Sequence, residues 1–366
     1  IQMIKHKKFF VNFKGTKILF ISEMLYAPFD EGIKIFSRSI LASLVAIKGS
    51  EVRAITTHGS DDASLNLHSY KINKFLLSFK LRKRIKTKSP EIIIYIPGSS
   101  LTPVSLLRTT ILHYYLRSAR VVVIGLQPRI LNFTSRFILK YFLKKVLFLV
   151  QSDSTKEYLK EAGGRVRLLS SGVDLIKFHP VSVVRKYELR EKYNIDKSRY
   201  IILHVGHINV DRNIQALLDI QKDPENQIIV VGSTSTVQNK NVLNLLESNH
   251  VIVYKDYISN IEELYQLADC FVFPVYSKTN AIEFPLSVLE AMACNLPIIA
   301  TRFSGLTTFI HESDSFRYIN NDNEIRSSLD HIKKNKHVNN RAIVEIYSWE
   351  NITSNLLKQI NDEFEM

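Results

Sequence analysis

An α/β protein of two doubly wound, parallel-sheet domains is what the sequence predicts, and two observations carry that prediction. Apolar, β-branched runs alternate with helix-periodic segments along almost the whole chain, an order that calls for parallel strands with helices on both faces. The chain has 366 residues, 45% of them hydrophobic, and single cores stop growing near about 250 to 300 residues, so two domains follow. Charge is divided unevenly along the chain. Residues 1–177 hold 30 Lys+Arg against 11 Asp+Glu, a balance of +19; the remainder holds 19 against 24, or −5, within the net +14.

The elements follow in order. In the first half TKILFIS (16–22), EVRAITT (51–57), EIIIYIP (91–97), RVVVIGL (120–126) and VLFLVQS (146–152) read as strands bounded by breakers. Between them, IKIFSRSILASLVAI (33–47) and VSLLRTTILHYYLRS (104–118) have helical periodicity. In the second half YIILHVG (200–206), NQIIVVG (226–232), HVIVYKD (250–256), DCFVFPV (269–275) and LPIIATR (296–302) repeat the scheme, with a hinge between about Asp174 and Lys197. Ligands of open α/β sheets bind outside the carboxyl ends of the strands, so the loops that follow strands are where chemistry is expected.

Composition narrows the function classes. Cys270 and Cys294 lie in apolar surroundings without metal-ligand spacing, which argues against a disulfide framework or a zinc site and fits a reducing cytoplasm. Every apolar run is broken well before about 18 residues, and no signal-peptide pattern precedes the first strand, so no membrane span is expected. The basic first half points to a polyanionic partner, nucleic acid or an anionic lipid surface. Two segments hold most of that charge: KFLLSFKLRKRIKTK (74–88), and SRFILKYFLKKVLFLV (135–150), where Arg136, Lys140, Lys144 and Lys145 fall at helical spacing. Both read as interfacial segments for anionic headgroups. A helix buried on one face and solvated on the other is the competing reading, stronger for 135–150 than for 74–88. No nucleic-acid-binding motif accompanies the charge, so no nucleic-acid partner is expected.

The stretch EFPLSVLEAMACNLPIIATRFSGL, Glu283 to Leu306, is the densest in chemistry. Pro285 suits a first helical position, and LSVLEAMA continues with good helix formers to Asn295, a residue suited to a left-handed stop. The spacing predicts a helix over about 285–294. Its free N–H groups and positive dipole end favour an anionic or hydroxyl-rich ligand before Pro285. A carboxylate accepts two hydrogen bonds from a vicinal diol, so Glu283 and Glu290 suit a ribose or a hexose. Two solvated glutamates on a surface helix remain the alternative for this stretch alone.

Neighbouring loops shift the balance. LLSSGVDLIKFHP (168–180), ILHVGHINVDRNIQALL (202–218), IIVVGS (228–233), ELYQLADCFVFP (263–274), the 283–306 stretch and the late YSWENI (347–352) together resemble the retaining glycosyltransferases of family 4, the glycosyl transferases group 1. The resemblance spans about residues 170–360 and implies the GT-B architecture, two Rossmann-like domains facing a cleft. It implies an acceptor-side domain over 1–176, a nucleotide-sugar domain over 177–345, and a final helix, 346–366, returning to the first domain.

What the resemblance implies for chemistry is a sugar nucleotide as co-substrate, UDP-sugar first and GDP-sugar second, with no metal because the DxD motif is absent. Donor-binding positions carried over are Gly32, Gly206, His207, Arg212, Phe284, Pro285, Leu286 and Glu290; Arg212, Glu283 and Gln127 are placed nearest the chemistry. Arg212 stands where the family has its phosphate-gripping lysine, and its fork suits a diphosphate. His207 replaces the family's arginine as a weaker, pH-dependent cation. Glu290 aligns with the ribose-binding glutamate. Only six residues separate Glu283 from Glu290 where the family has seven, so strict alignment puts Ile282 at the first glutamate; a shifted Glu283, with the N–H groups of Glu283, Phe284 and Leu286 facing the sugar, is the favoured reading. Gly32 is the one glycine where the family has a pair, flanked by Glu31 and Lys34, which either touch acceptor or donor or, the favoured reading for each alone, form a solvated loop end. Gln127 stands where many relatives carry histidine. Ser304, Gly305 and Leu306 form a turn that either closes the cleft or is purely structural.

The expected partners are a nucleotide sugar, a lipid-linked or saccharide acceptor and an anionic membrane surface touched by the basic first half. The expected location is cytoplasmic, peripheral at the inner face of the membrane. Two rivals stand beside this reading: a catalytically silent homologue that binds nucleotide or a partner, and a nucleotide-sugar epimerase of similar architecture.

Overall fold

The computed structural model describes residues 15–47, 51–70, 89–277, 281–335 and 337–364, so the basic segment 74–88 lies outside the described residues. Seven strands form the first sheet: β1 (Lys17–Ser22), β2 (Glu51–Thr56), β3 (Leu67–Ser69), β4 (Ile92–Ile96), β5 (Arg120–Gly125), β6 (Leu147–Val150) and β7 (Arg165–Leu168), in the order β3-β2-β1-β4-β5-β6-β7. Six form the second: β8 (Tyr200–Gly206), β9 (Asn226–Gly232), β10 (Ile252–Tyr254), β11 (Cys270–Phe273), β12 (Ile298–Thr301) and β13 (Phe316–Ile319), in the order β10-β9-β8-β11-β12-β13. Pairings in both sheets are parallel, for example Ile18 with Val52 and Ile92, and Ile202 with Ile228 and Cys270.

Central parallel strands are covered on both faces, which explains why β4 (IIIYI) and β9 (NQIIVVG) are buried at every position and legible as apolar runs, unbroken in β4 and following two buried polar residues in β9. Sequence patterning did not reach β3 (LHS), β7 (RVRL) or β13 (FRYI). All three lie at or next to sheet edges, have three or four residues and carry polar or charged positions. The segment 135–150 also departs from a single helix: Phe133–Phe142 is helical, capped by the Asn132 side chain on the Ser135 N–H, and the chain enters β6 at Leu147.

The order of each sheet reverses once, between β1 and β4 and between β8 and β11. Ligands of open parallel sheets gather at such switch points. Here the loops after β1, β5, β8 and β11 all line the same cleft.

The sheets are also joined through buried contacts. The helix Trp349–Phe364 follows the second sheet in sequence yet packs against the first: Arg165 and Arg167 reach Glu363 at 2.7 and 2.6 Å, and the Gln359 amide donates to the Leu168 carbonyl. Trp349 stacks edge-on against Phe36, and a Cβ on Gly172 would stand 2.6 Å from the indole, so Gly172 has no room for a side chain. A second join forms where Glu283 N–H donates to the Leu126 carbonyl and Gly305 N–H to the Glu283 carbonyl, each at 2.8 Å. A Cβ on Gly305 would overlap the Gln151 carbonyl and stand 2.9 Å from that of Glu283.

Candidate active site

Two neighbouring cavities fill the cleft between the sheets. The larger, of about 420 Å³, is walled by Phe29, Arg38, Asp174, Lys177, Tyr257 and Trp349 among others; the smaller, of about 110 Å³, adjoins it, and both are lined by Asp30, Gly206, Ser233 and Glu290. Of the ten residues singled out by sequence, eight line the smaller cavity: Gly32, Gln127, Gly206, His207, Arg212, Pro285, Leu286 and Glu290.

Local structure explains how Arg212 arrives there. After β8 the chain makes a 3₁₀ turn, Val210–Arg212, closed by Asn213 in the left-handed region at φ 53°. Asn213 is held there by its side-chain amide, which donates to the Pro274 carbonyl and to Asp322. Arg212 is consequently 6% exposed. Burial pulls its pKa down to about 10, with Asp211 and Glu31 opposing, so it keeps its charge at neutral pH in a poorly solvated place. A weakly screened guanidinium is well placed to grip a diphosphate.

His207 differs from the expectation of a cation. Burial first, and Arg212 second, depress its pKa to about 4, so at neutral pH it presents an uncharged imidazole, with Nδ1 2.7 Å from the Thr236 hydroxyl. His204, wholly buried with Nδ1 against the Val272 carbonyl, is likewise pushed down to about 4.

Glu290 lies on the helix Leu286–Ala293, which begins immediately after Pro285 and is followed by Asn295 at φ 57°. Six of the eight residues of the helix are buried, Ser287 and Glu290 being the exceptions, and desolvation raises the Glu290 carboxyl to about 7; the Tyr265 hydroxyl, donating to Oε2 at 2.8 Å, and Lys177 moderate the rise. Tyr265 and Lys177 are partners that pattern reading missed. Tyr265 looks like an ordinary core aromatic of ELYQL, and only packing turns its hydroxyl toward Glu290.

Glu283 and Phe284 are turned away from both cavities. The Glu283 side chain is fully buried, its Oε1 accepting hydrogen bonds from Ser152, Thr155 and Ser304 at 2.5, 2.7 and 2.8 Å. Ser152 and Thr155 belong to the first domain, where Ser152 also caps the helix Asp153–Glu161. The carboxylate therefore pins one domain to the other. Phe284 is packed against Phe309 and Tyr347, while its N–H and carbonyl are taken by Gln151 and Ser171. Ile282, the residue that strict alignment put at the first glutamate, lines the smaller cavity and abuts Gly32, where an added Cβ would meet its Cδ1 at 3.0 Å.

The loop after β1 is no solvated end. Lys34 is 2% exposed; its ammonium donates to Ser235 and the Pro28 carbonyl and lies 4.1 Å from the centre of the Tyr26 ring. Asp30 accepts from the N–H and hydroxyl of Thr234 and from the N–H and hydroxyl of Ser235, so a carboxylate of the first domain fills the turn after β9. Burial works against the charge of Asp30, but those hydrogen bonds and Lys34 outweigh it and hold its pKa low. Glu31 lines the smaller cavity, and there burial prevails over Lys34 and Arg212 to raise its pKa. Among the described residues no cluster of three or more His, Cys, Asp or Glu side chains could hold a metal ion, and no helix is long and apolar enough to cross a membrane.

Two Rossmann-like parallel-sheet domains with a switch-point cleft between them define the GT-B class of fold. Solved structures agree. A glycosyltransferase from Rickettsia africae superposes with a TM-score of 0.76 at 16% identity, covering 96% of this chain and 99% of that one. Anabaena Alr3699/HepE in complex with UDP gives 0.73 at 14% identity, covering 95% and 100%. Residues 185–349 match the family described as glycosyl transferases group 1, and curated relatives support the same placement. One is the N,N'-diacetylbacillosaminyl-diphospho-undecaprenol α-1,3-N-acetylgalactosaminyltransferase of Campylobacter jejuni, 30% identical over 43% of this chain and 43% of the relative. The chain spans less than half the length of the curated relatives it matches.

Proposed function

We propose that this chain is a retaining, metal-independent glycosyltransferase that moves a hexosyl-type sugar from a nucleotide diphosphate, UDP first and GDP second, to a lipid-linked or polysaccharide acceptor. It works peripherally at the cytoplasmic face of the membrane, with the basic first half toward the anionic surface. Residues 1–176 form the acceptor side, 177–345 the donor side, and 346–366 return to the acceptor side. The observation that carries the reading is the meeting of Gly206, Arg212, Glu290 and the start of the helix Leu286–Ala293 at one cavity, at the carboxyl ends of β8 and β11. The Campylobacter relative, whose name states a diphospho-undecaprenol acceptor, supports the lipid-linked acceptor.

Each residue has a part that its surroundings allow. Glu290 receives the ribose diol and Arg212 the diphosphate, whose charge the N–H groups opening the helix also face. As the bond from the sugar's anomeric carbon to the diphosphate oxygen breaks, the electron pair leaves with the diphosphate, and Arg212 stabilises the growing charge. The acceptor hydroxyl then bonds to that carbon on the same face, its proton passing to the departing diphosphate. Gln127 lines the first-domain side of the same cavity, toward the entering acceptor.

A calorimetric panel of UDP, GDP and ADP with their sugar conjugates tests this, followed by donor hydrolysis and transfer to membrane extract. One preferred nucleotide sugar, a loss of roughly 1.5–3 kcal/mol in its affinity on Arg212→Ala, and transfer to extract are expected. Selective binding without turnover would favour the silent homologue, donor conversion without acceptor the epimerase, and no binding would overturn the site.

A further inference from the structure

The helix Phe133–Phe142 has an unusual outer face. Phe133, Phe137 and Tyr141, four residues apart, are 85%, 48% and 55% exposed, where a solvated helix would carry polar side chains. Only Ser135 and Leu139 of this helix are buried. Successive positions four apart advance about 40° around a helix, so the three rings form one row. Arg136 and Lys140, three and seven residues after Phe133, form a basic row beside it, and both are exposed. The aromatic row continues sideways into a cluster: Phe137 lies 4.8 Å from Tyr141 and 6.0 Å from Phe142, and Phe142 lies 6.3 Å from Tyr114, ring centre to ring centre. Lys144 and Lys145 extend the exposed charge.

The charge has one sign. Residues 92–152 contain eight Lys+Arg and no Asp or Glu. An apolar row bordered by basic side chains, with no carboxylate in 61 residues of surrounding sequence, complements a surface that is apolar within and anionic at its rim. A protein partner of ordinary mixed charge offers neither over such a length; an anionic bilayer offers both. The helix also follows closely on the cleft along the chain. Gln127, which lines the smaller cavity, accepts from Arg129 at 3.2 Å, and Ile130, 95% exposed, leads directly to Phe133.

We infer that the outer face of Phe133–Phe142 is where this protein lies on an anionic lipid bilayer, with Phe133, Phe137 and Tyr141 entering the interface and Arg136, Lys140, Lys144 and Lys145 meeting the headgroups. The inference rests on the membrane-face reading above and deepens it by naming the surface. It also gives the cleft a direction: the path from Ile130 through Arg129 to Gln127 runs from the bilayer surface to the cavity, so an amphiphilic acceptor keeps its chain in the membrane while its polar head reaches Gln127.

Co-sedimentation with phosphatidylcholine vesicles, with and without phosphatidylglycerol, tests it on the full chain. The wild type binds the anionic vesicles and leaves the neutral ones. Phe133→Ser/Phe137→Ser/Tyr141→Ser weakens partitioning by more than about tenfold, and each of Lys140→Gln and Lys144→Gln by about fivefold at low salt. These side chains are exposed, so thermal unfolding and donor affinity stay at the wild-type values, which shows that the variants fold. Equal partitioning of the triple variant, or equal wild-type binding to both vesicle types, overturns the inference. A concentration-dependent dimer that the triple variant abolishes, without vesicle binding, assigns the face to a second copy instead. Donor binding and hydrolysis are read separately: their failure with vesicle binding intact sinks the transferase reading and leaves the surface standing.

Discussion

Glu290 offers a prediction whose sign and size both follow from its surroundings. Burial raises its carboxyl to about 7, far above the ordinary 4.5, and the Tyr265 hydroxyl and Lys177 only partly offset that. A ribose diol donates two hydrogen bonds, which the ionised carboxylate accepts and the neutral acid does not accept equally well. Donor affinity should therefore rise with pH through about 7 and level off above it. With a pKa near 7 the ionised fraction is roughly 0.09 at pH 6 and roughly 0.91 at pH 8, a ratio of about tenfold or about 1.4 kcal/mol. UDP-glucose is the suitable first probe, because a diphosphate esterified at both ends does not titrate in this range. His207 near 4 and Arg212 near 10 do not titrate there either. Calorimetry at pH 6, 7 and 8 on the wild type and on Glu290→Gln reads the effect. The variant should lose the Glu290 slope and bind about 1–2 kcal/mol more weakly at pH 8. Glu31, whose pKa burial also raises, is untouched by that substitution, so its contribution remains in both proteins and cancels in the difference. A flat wild-type profile, or a variant with the wild-type slope, would refute the assignment of Glu290 to the diol.

Two further predictions separate the pin between the domains from the ligand site. Glu283→Ala removes the acceptor that the hydroxyls of Ser152, Thr155 and Ser304 share and should cost about 2–4 kcal/mol of stability, seen as an earlier urea midpoint, with donor affinity unchanged; a selective loss of donor affinity would restore Glu283 to sugar binding. Gly305→Ala drives a methyl into the Gln151 and Glu283 carbonyls and should destabilise by about 3 kcal/mol or more; a thermal midpoint equal to wild type would show that the two domains do not meet as described.

The sequence by itself determined the fold class and most of the cleft. Apolar runs such as IIIYI and the IIVVG of β9 are written by burial on both faces, a condition local enough to read from composition. The same holds for Pro285, Asn295 and the loops after β8 and β11, because turn chemistry and strand ends are local properties. Of the ten site residues that the family resemblance implied, eight line one cavity. Edge strands escaped because only their neighbours make LHS or RVRL into strands. Tertiary structure alone decided where side chains point and how they are charged. A glutamate one residue from its expected place, Glu283, turns to Ser152 and Thr155, more than 125 residues away in sequence. Lys34, buried, and Asp30, half-buried, both bond to Ser235 across the cleft, and His207 loses its charge to burial and to Arg212. Desolvation and the approach of distant groups set these outcomes, and neither is a property of any one stretch of chain.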